Sequence, residues 1–161
     1  MVVSAVLSII IIAGVATVVT ADTNVALGKP AKLYYACPHP NMTDTGYKAV
    51  DGNTNQTMMG NSCFETGPNL SNWWYVNLGK IYEITEVKLY NRIDCCSERA
   101  KNIFIMIGNS LEELKPVDYS PDPIGAIKSF FMFPNTKGKY VKLQHEANTV
   151  FHLCEVKVFA K

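Results

Sequence analysis

Charge is missing from the first 21 residues, MVVSAVLSIIIIAGVATVVTA, and an excess of either sign is missing from the whole chain. Fifteen lysines and arginines face 14 aspartates and glutamates, for a formal net charge of +1. Such a chain sets up no long-range field that would gather nucleic acid, so that partner is excluded. There is no low-complexity tract and no internal repeat, and outside the leader no long 3.6-residue period, which argues against helical and solenoid architectures. The three histidines, His39, His145 and His152, have no metal-like spacing, and no role is assigned to them. Neither a nucleophile paired with a histidine nor a pair of acid and base carboxylates emerges, so the chain reads as a non-enzyme.

The uncharged leader ends abruptly at Asp22. It reads as a secretory signal, with small Val19 and Ala21 at minus three and minus one and cleavage after Ala21. Its apolar run is also long enough for an uncleaved anchor. Residues 22–161 are the size of one domain with a core of its own, and no membrane span follows the leader. Export to an oxidising compartment makes Cys37, Cys63, Cys95, Cys96 and Cys154 disulfide candidates, and the odd number leaves one over. The sequons at Asn41, Asn55 and Asn69 fit surface loops, although such triplets also arise by chance.

The mature chain shows short apolar runs of period two between turn residues. In NIFIMIG, Ile103, Ile105 and Ile107 share one face and Phe104 and Met106 the other, which predicts a strand covered on both sides. YVKLQH directs Val141 and Leu143 inward; CEVKVFA directs Cys154, Val156 and Val158 inward and Glu155 and Lys157 outward. WWYVNLG and EITEVKLYN predict two strands joined at Gly79-Lys80, with Trp73 and Trp74 in the core, and IKSFFMF predicts another. The pattern is all-β, an antiparallel β-sandwich or jelly roll. The polar stretch from Cys37 to Pro68 predicts loops at one end, where function usually sits.

Within YNRIDCCSERAKN, Arg92 is followed by Asp94 and then Arg99. Two planar guanidinium forks, braced by a carboxylate accepting from both, would suit vicinal hydroxyls of a sugar, whereas a solvated ion cluster would do nothing. Cys95 and Cys96 are adjacent. Cα atoms across a trans peptide lie about 3.8 Å apart, below the usual disulfide span of roughly 4.4 to 6.8 Å. Either both pair elsewhere, with Cys37 and Cys63 for example, or they form a small strained ring, an apolar plate for the C–H face of a sugar.

In order, NVALGKPA, AVDGN (49–53), SC (62–63), NWWYVNLG (72–79), NRIDCCSER (91–99) and LCEVKVF (153–159) resemble the F-type lectins, the fucose-binding family typified by eel agglutinin. The resemblance implies a jelly roll similar to the discoidin-like galactose-binding fold, with the sugar site in loops at one end. The family motif is a histidine, 26 residues, Arg-x-Asp, four residues and a basic residue; Arg92, Asp94 and Arg99 match it. By that likeness the two arginines hydrogen-bond α-L-fucose, Asp94 braces them, and a Cys95–Cys96 disulfide is the seat. Met58 and Met59 match apolar positions near the fucose methyl, where thioethers are adaptable fillers, or else pack the loop. The family histidine is replaced by Glu65, which accepts but does not donate when ionised and can pair with Arg92 or Arg99. That implies altered or weakened specificity, or a lost site.

The same likeness implies a structural calcium held by Lys48, Asn53 and Cys154 through carbonyls and by Asp51, Ser62 and Glu155, all oxygen donors. It also implies a Cys63–Cys154 disulfide, with Cys37 left free or joining two chains. The leading expectation is a secreted lectin for terminal fucose or a related sugar on glycoconjugates, in defence or in cell adhesion, with homo-oligomers supplying avidity. The alternative is a discoidin-like adhesion module with a vestigial sugar site that grips protein or a membrane surface.

Overall fold

The computed structural model describes residues 8–12, 15–19, 22–34 and 45–161. Cys37, the sequon at Asn41 and the expected cleavage position Ala21 lie outside them. Within the leader, β1 (Ser8–Ile12) and β2 (Val15–Val19) pair antiparallel from Ser8↔Val19 to Ile12↔Val15. Among the described residues no helix is long and apolar enough to cross a membrane.

Residues 22–34 and 45–161 form a two-layer antiparallel sandwich. Its strands are β3 (Thr23–Asn24), β4 (Ala31–Leu33), β5 (Phe64–Glu65), β6 (Asn72–Tyr90), β7 (Ile103–Gly108), β8 (Lys115–Ser120), β9 (Ile127–Phe131), β10 (Lys137–His145), β11 (His152–Leu153) and β12 (Glu155–Ala160). The two expected strands around Gly79 are one continuous β6, which serves both layers. Its first half pairs β4 and β10, and β10 continues to β7 and β8; its second half pairs β9 and β12, and β12 pairs β3. Between the halves Gly79 adopts φ 91° and the β6–β10 register slips, with Leu78, Gly79, Lys80 and Ile81 of β6 standing against Lys139 alone of β10. A left-handed residue and the extra residues on β6 bend the ribbon enough to cross between layers.

Alternation places Trp74, Val76 and Leu78 of β6 beside Ile103, Ile105, Val141 and Leu143 in the first layer, facing Val87, Leu89, Val156 and Val158 of the second, all buried in one core cluster. Removing such a side chain from water contributes about 1.5–3 kcal/mol each, so the alternating faces fix the register. Under the loop end the core is aromatic. Phe64 stacks on Trp74 and meets Phe151 edge-on with centroids 5.5 Å apart, and Phe151 stacks on His145 at 4.8 Å.

Three inward–outward expectations change. Phe104 and Met106 are half-exposed, so β7 is covered on one side only. Trp74 is core, its Nε1–H donating to the Gly46 carbonyl at 2.8 Å, but Trp73 lies on the outer face of β6. Glu155 is fully buried rather than outward. At that point the chain is enclosed on both sides, with residues 151–156 all buried, so parity no longer decides exposure.

Candidate functional site

β6 ends at Tyr90, and the chain enters a loop whose shape is set from below by the amide side chains of Asn91 and Gln56. Asn91, fully buried, donates from Nδ2 to the Ser97 and Gly125 carbonyls at 2.9 and 3.0 Å, and its Oδ1 accepts the Arg92 N–H at 2.8 Å. Gln56 donates from Nε2 to the Asn91 and Ala126 carbonyls, and its own carbonyl accepts the Ile93 N–H at 2.9 Å. The 45–68 segment is thereby tied to the arginine loop. As expected of it, that segment is mostly loop, with 3₁₀ turns at Gly46–Val50 and Met58–Gly60.

Arg92 is clamped between two carboxylates. Its Nε donates to Asp94 Oδ1 at 2.7 Å and its Nη2 to Asp94 Oδ2 at 3.3 Å, while Nη1 reaches Glu65 Oε2 at 3.4 Å. The hydrogen bond between them pulls the Asp94 carboxyl below its usual range and raises Arg92 above its own. Of five guanidinium N–H groups, two are left for a ligand. Asp94 Oδ2 also accepts the Met58 N–H at 3.2 Å, which docks the methionine turn on the loop; Met58 is half-buried and Met59 is 97% exposed. Asp94 therefore braces Arg92 and the methionine turn, not both arginines. Cys95 is exposed and bonded to Cys96, and Cys96 takes the left-handed conformation, φ 63°. That reversal starts the 3₁₀ turn Ser97–Arg99 and carries Arg99 over a cavity of about 450 Å³ lined by Glu98, Lys101, Asn102 and Thr149. Among the described residues Arg99 has no carboxylate partner.

Two of the three histidines that lack metal-like spacing support this loop. His152, the cross-strand partner of Glu65, is fully buried with Nε2 3.1 Å from the Cys96 carbonyl; His145 Nε2 lies 3.0 Å from the Arg99 carbonyl. A carbonyl only accepts, so both imidazoles carry their proton on Nε2. Both Nδ1 atoms are buried without a partner among the described residues, so a second proton there would be an unsolvated, unpaired charge. Burial lowers both pKa values, that of His152 to about 4, with Arg92 and Arg99 pushing the same way. The only sequence signal for this role is apolar alternation placing a histidine on the inward face of β10.

A second constellation lies beside β12. Among the described residues both carboxylate oxygens of buried Glu155 lack a hydrogen-bond partner. Burial, and then the neighbouring Asp51 carboxylate, raise its pKa to about 7; the Gly52 N–H acts oppositely without completing a bond. Asp51 closes the Gly46–Val50 turn, and its Oδ1 accepts the Asn53 N–H at 2.7 Å. Ser62 is buried, with its hydroxyl on the Asn55 carbonyl. Cys63 and Cys154 are joined by a disulfide, holding the 45–68 segment against β12. Lys48 directs its ammonium to Asn61 Oδ1 at 2.7 Å. Among the described residues no three His, Cys, Asp or Glu side chains converge to hold a metal. Two facing carboxylates, one orphaned in the interior, nevertheless suit a hard cation completed by hydroxyl and main-chain oxygens.

A two-layer antiparallel sandwich with its polar constellation in loops at one end defines a domain of the discoidin-like, galactose-binding class. The profile of the family described as NedA-like, galactose-binding domain matches residues 48–143. The chain is 37% identical over 117 residues to Fucolectin-1 of Anguilla japonica, covering 70% of this chain and 66% of that protein. It is 33% identical over 115 residues to Fucolectin of Anguilla anguilla, covering 68% and 73%. The crystal structure of an F-lectin from striped bass (Morone saxatilis) serum superposes with a TM-score of 0.78 at 33% identity, covering 88% of this chain and 50% of that one. The chain belongs to the F-type lectin, or fucolectin, family. It spans just under two thirds of the length of Fucolectin-1 and half of the striped bass lectin chain.

Proposed function

We propose that residues 22–161 act as a secreted, non-catalytic lectin domain that seats a terminal fucose or related sugar on the Cys95–Cys96 ring, after cleavage of a signal peptide at residues 1–21. The observation that carries this reading is the exposed cystine ring beside Arg92, whose guanidinium is held in place by Asp94 at 2.7 Å. A ring-shaped apolar plate flanked by fixed donors combines stacking with hydroxyl readout. The relatives named fucolectin support the sugar class. Glu65 makes the site differ from a plain fucose site: it brings an acceptor and takes one Arg92 edge, which alters specificity and lowers affinity. Met58 and Met59 furnish the apolar edge.

Calcium fits the Asp51–Glu155 constellation, with Lys48, Asn53 and Cys154 contributing carbonyls and Ser62 its hydroxyl. The ion would neutralise the orphaned carboxylate and pin the loop segment to β12. Shallow single sites bind weakly, so the working form is a homo-oligomer, in defence recognition or cell adhesion. The Glu65–Arg92 contact favours a second reading, an adhesion module whose sugar site is vestigial. Glycan-array and calorimetric binding of fucosides should be lost on Arg92→Ala with the fold retained; glycoconjugate binding that survives the change would favour the second reading.

A further inference from the structure

The outer face of the first layer carries a row of side chains that neither the core nor the arginine loop uses. Register places Lys32 of β4 opposite Tyr75 of β6, Tyr75 opposite Lys142 of β10, and Lys142 opposite Met106 of β7. One step along the strands, the Tyr34 N–H bonds the Trp73 carbonyl at 2.7 Å, and Trp73 stands opposite Gln144, which stands opposite Phe104. Trp73 stacks on Tyr75 with centroids 5.6 Å apart, and Tyr34 tilts against Trp73 at 6.1 Å. These rings and Lys142 are half-exposed, while Lys32 is exposed. Trp73, Tyr75 and both lysines border a groove of about 360 Å³ whose remaining wall is Leu111 and Leu114. Lys142 is also a wall of a neighbouring cavity of about 380 Å³, which Glu146 lines as well.

We infer that this face is a second saccharide site, for an extended acidic polysaccharide with widely spaced carboxylates. Three adjoining aromatic rings, Tyr34 tilted 55° to Trp73 and Trp73 within 22° of parallel to Tyr75, present a run of apolar ring surface on which C–H faces of a sugar chain can pack. Lys32 and Lys142 have no carboxylate partner among the described residues, and no acidic side chain lines the groove between them. Lys142 lies 5.8 Å from the Trp73 centroid, and burial lowers its pKa, a cost that a bound anion would offset. Charge density selects the ligand. The lysines are two strand spacings apart, about 10 Å, which fits a chain with a carboxylate on every second sugar. A densely sulfated chain or nucleic acid would need many more cations, and the net charge of +1 supplies no long-range attraction.

The test is calorimetric titration of the full chain with hyaluronan decasaccharide, in which uronic and neutral sugars alternate. The controls are the same oligosaccharide with its carboxyls reduced to alcohols, and heparin of equal length. Binding should fall about 10-fold or more in the Lys32→Gln/Lys142→Gln double variant, return with Lys→Arg at both positions, and persist in Arg92→Ala. No binding, equal binding of the reduced oligosaccharide, preference for heparin, or indifference to the lysines at unchanged Tm would each overturn the proposal. So would light scattering showing a dimer that dissociates on Trp73→Ala, because a second copy would then occupy the face.

Discussion

Exchanging His152 for glutamine takes an ionisable ring out of the floor of the arginine loop and leaves an amide whose Nε2 can still donate to the Cys96 carbonyl. Burial holds the His152 pKa at about 4, against 6.5 for a free imidazole. As pH falls through 6.5 the unfolded chain takes up a proton that the folded chain refuses until about pH 4. The unfolded state therefore binds more protons in that window, and stability falls with pH. This contribution is complete above pH 6.5 and gone below about pH 4; at about 1.4 kcal/mol per pH unit it amounts to about 3 kcal/mol. That is a large part of the 5–15 kcal/mol typical of a domain. Urea denaturation of both proteins between pH 7.5 and 4.5 isolates it, since His145 and Glu155 titrate in both and cancel in the difference. The advantage of the wild type over His152→Gln should shrink by about 2 to 3 kcal/mol across that range. A difference that stays level with pH would mean His152 is not held neutral by burial, and the account of the loop floor would fail.

Glu65→Gln should strengthen fucoside binding by up to about fivefold in calorimetry, because it removes a partly exposed ion pair worth no more than about 1 kcal/mol; weaker binding would mean that Glu65 is a ligand and not a competitor. Chelation should lower the Tm of the wild type and leave Glu155→Gln unmoved, whereas no response in either would remove calcium from the account. Replacing Cys63 and Cys154 by serine opens a link across 91 residues and should cost about 4 kcal/mol in denaturant titrations; a loss under about 1 kcal/mol would show that the calcium constellation and core already constrain the segment.

What the sequence determined by itself was parity and the chemistry of one loop. Period-two alternation in YVKLQH and VKVF assigns inward faces correctly because β-strand side chains alternate whatever the partner strand is. Arg92, Asp94 and the adjacent cysteines are within five residues of one another, so their meeting needs no tertiary information. Tertiary structure decided what covers each face and which distant groups converge. Parity could not tell that the outer face of β7 is half-open, that Trp73 belongs to a half-exposed aromatic row, or that Glu155 lies where the Gly46–Asp51 turn closes over β12. Nor could it bring Glu65 to 3.4 Å from Arg92, or set His145 and His152 under carbonyls 46 and 56 residues away. Local pattern is carried by the backbone's own geometry, whereas burial and the pKa values that follow from it belong to neighbours that only folding supplies.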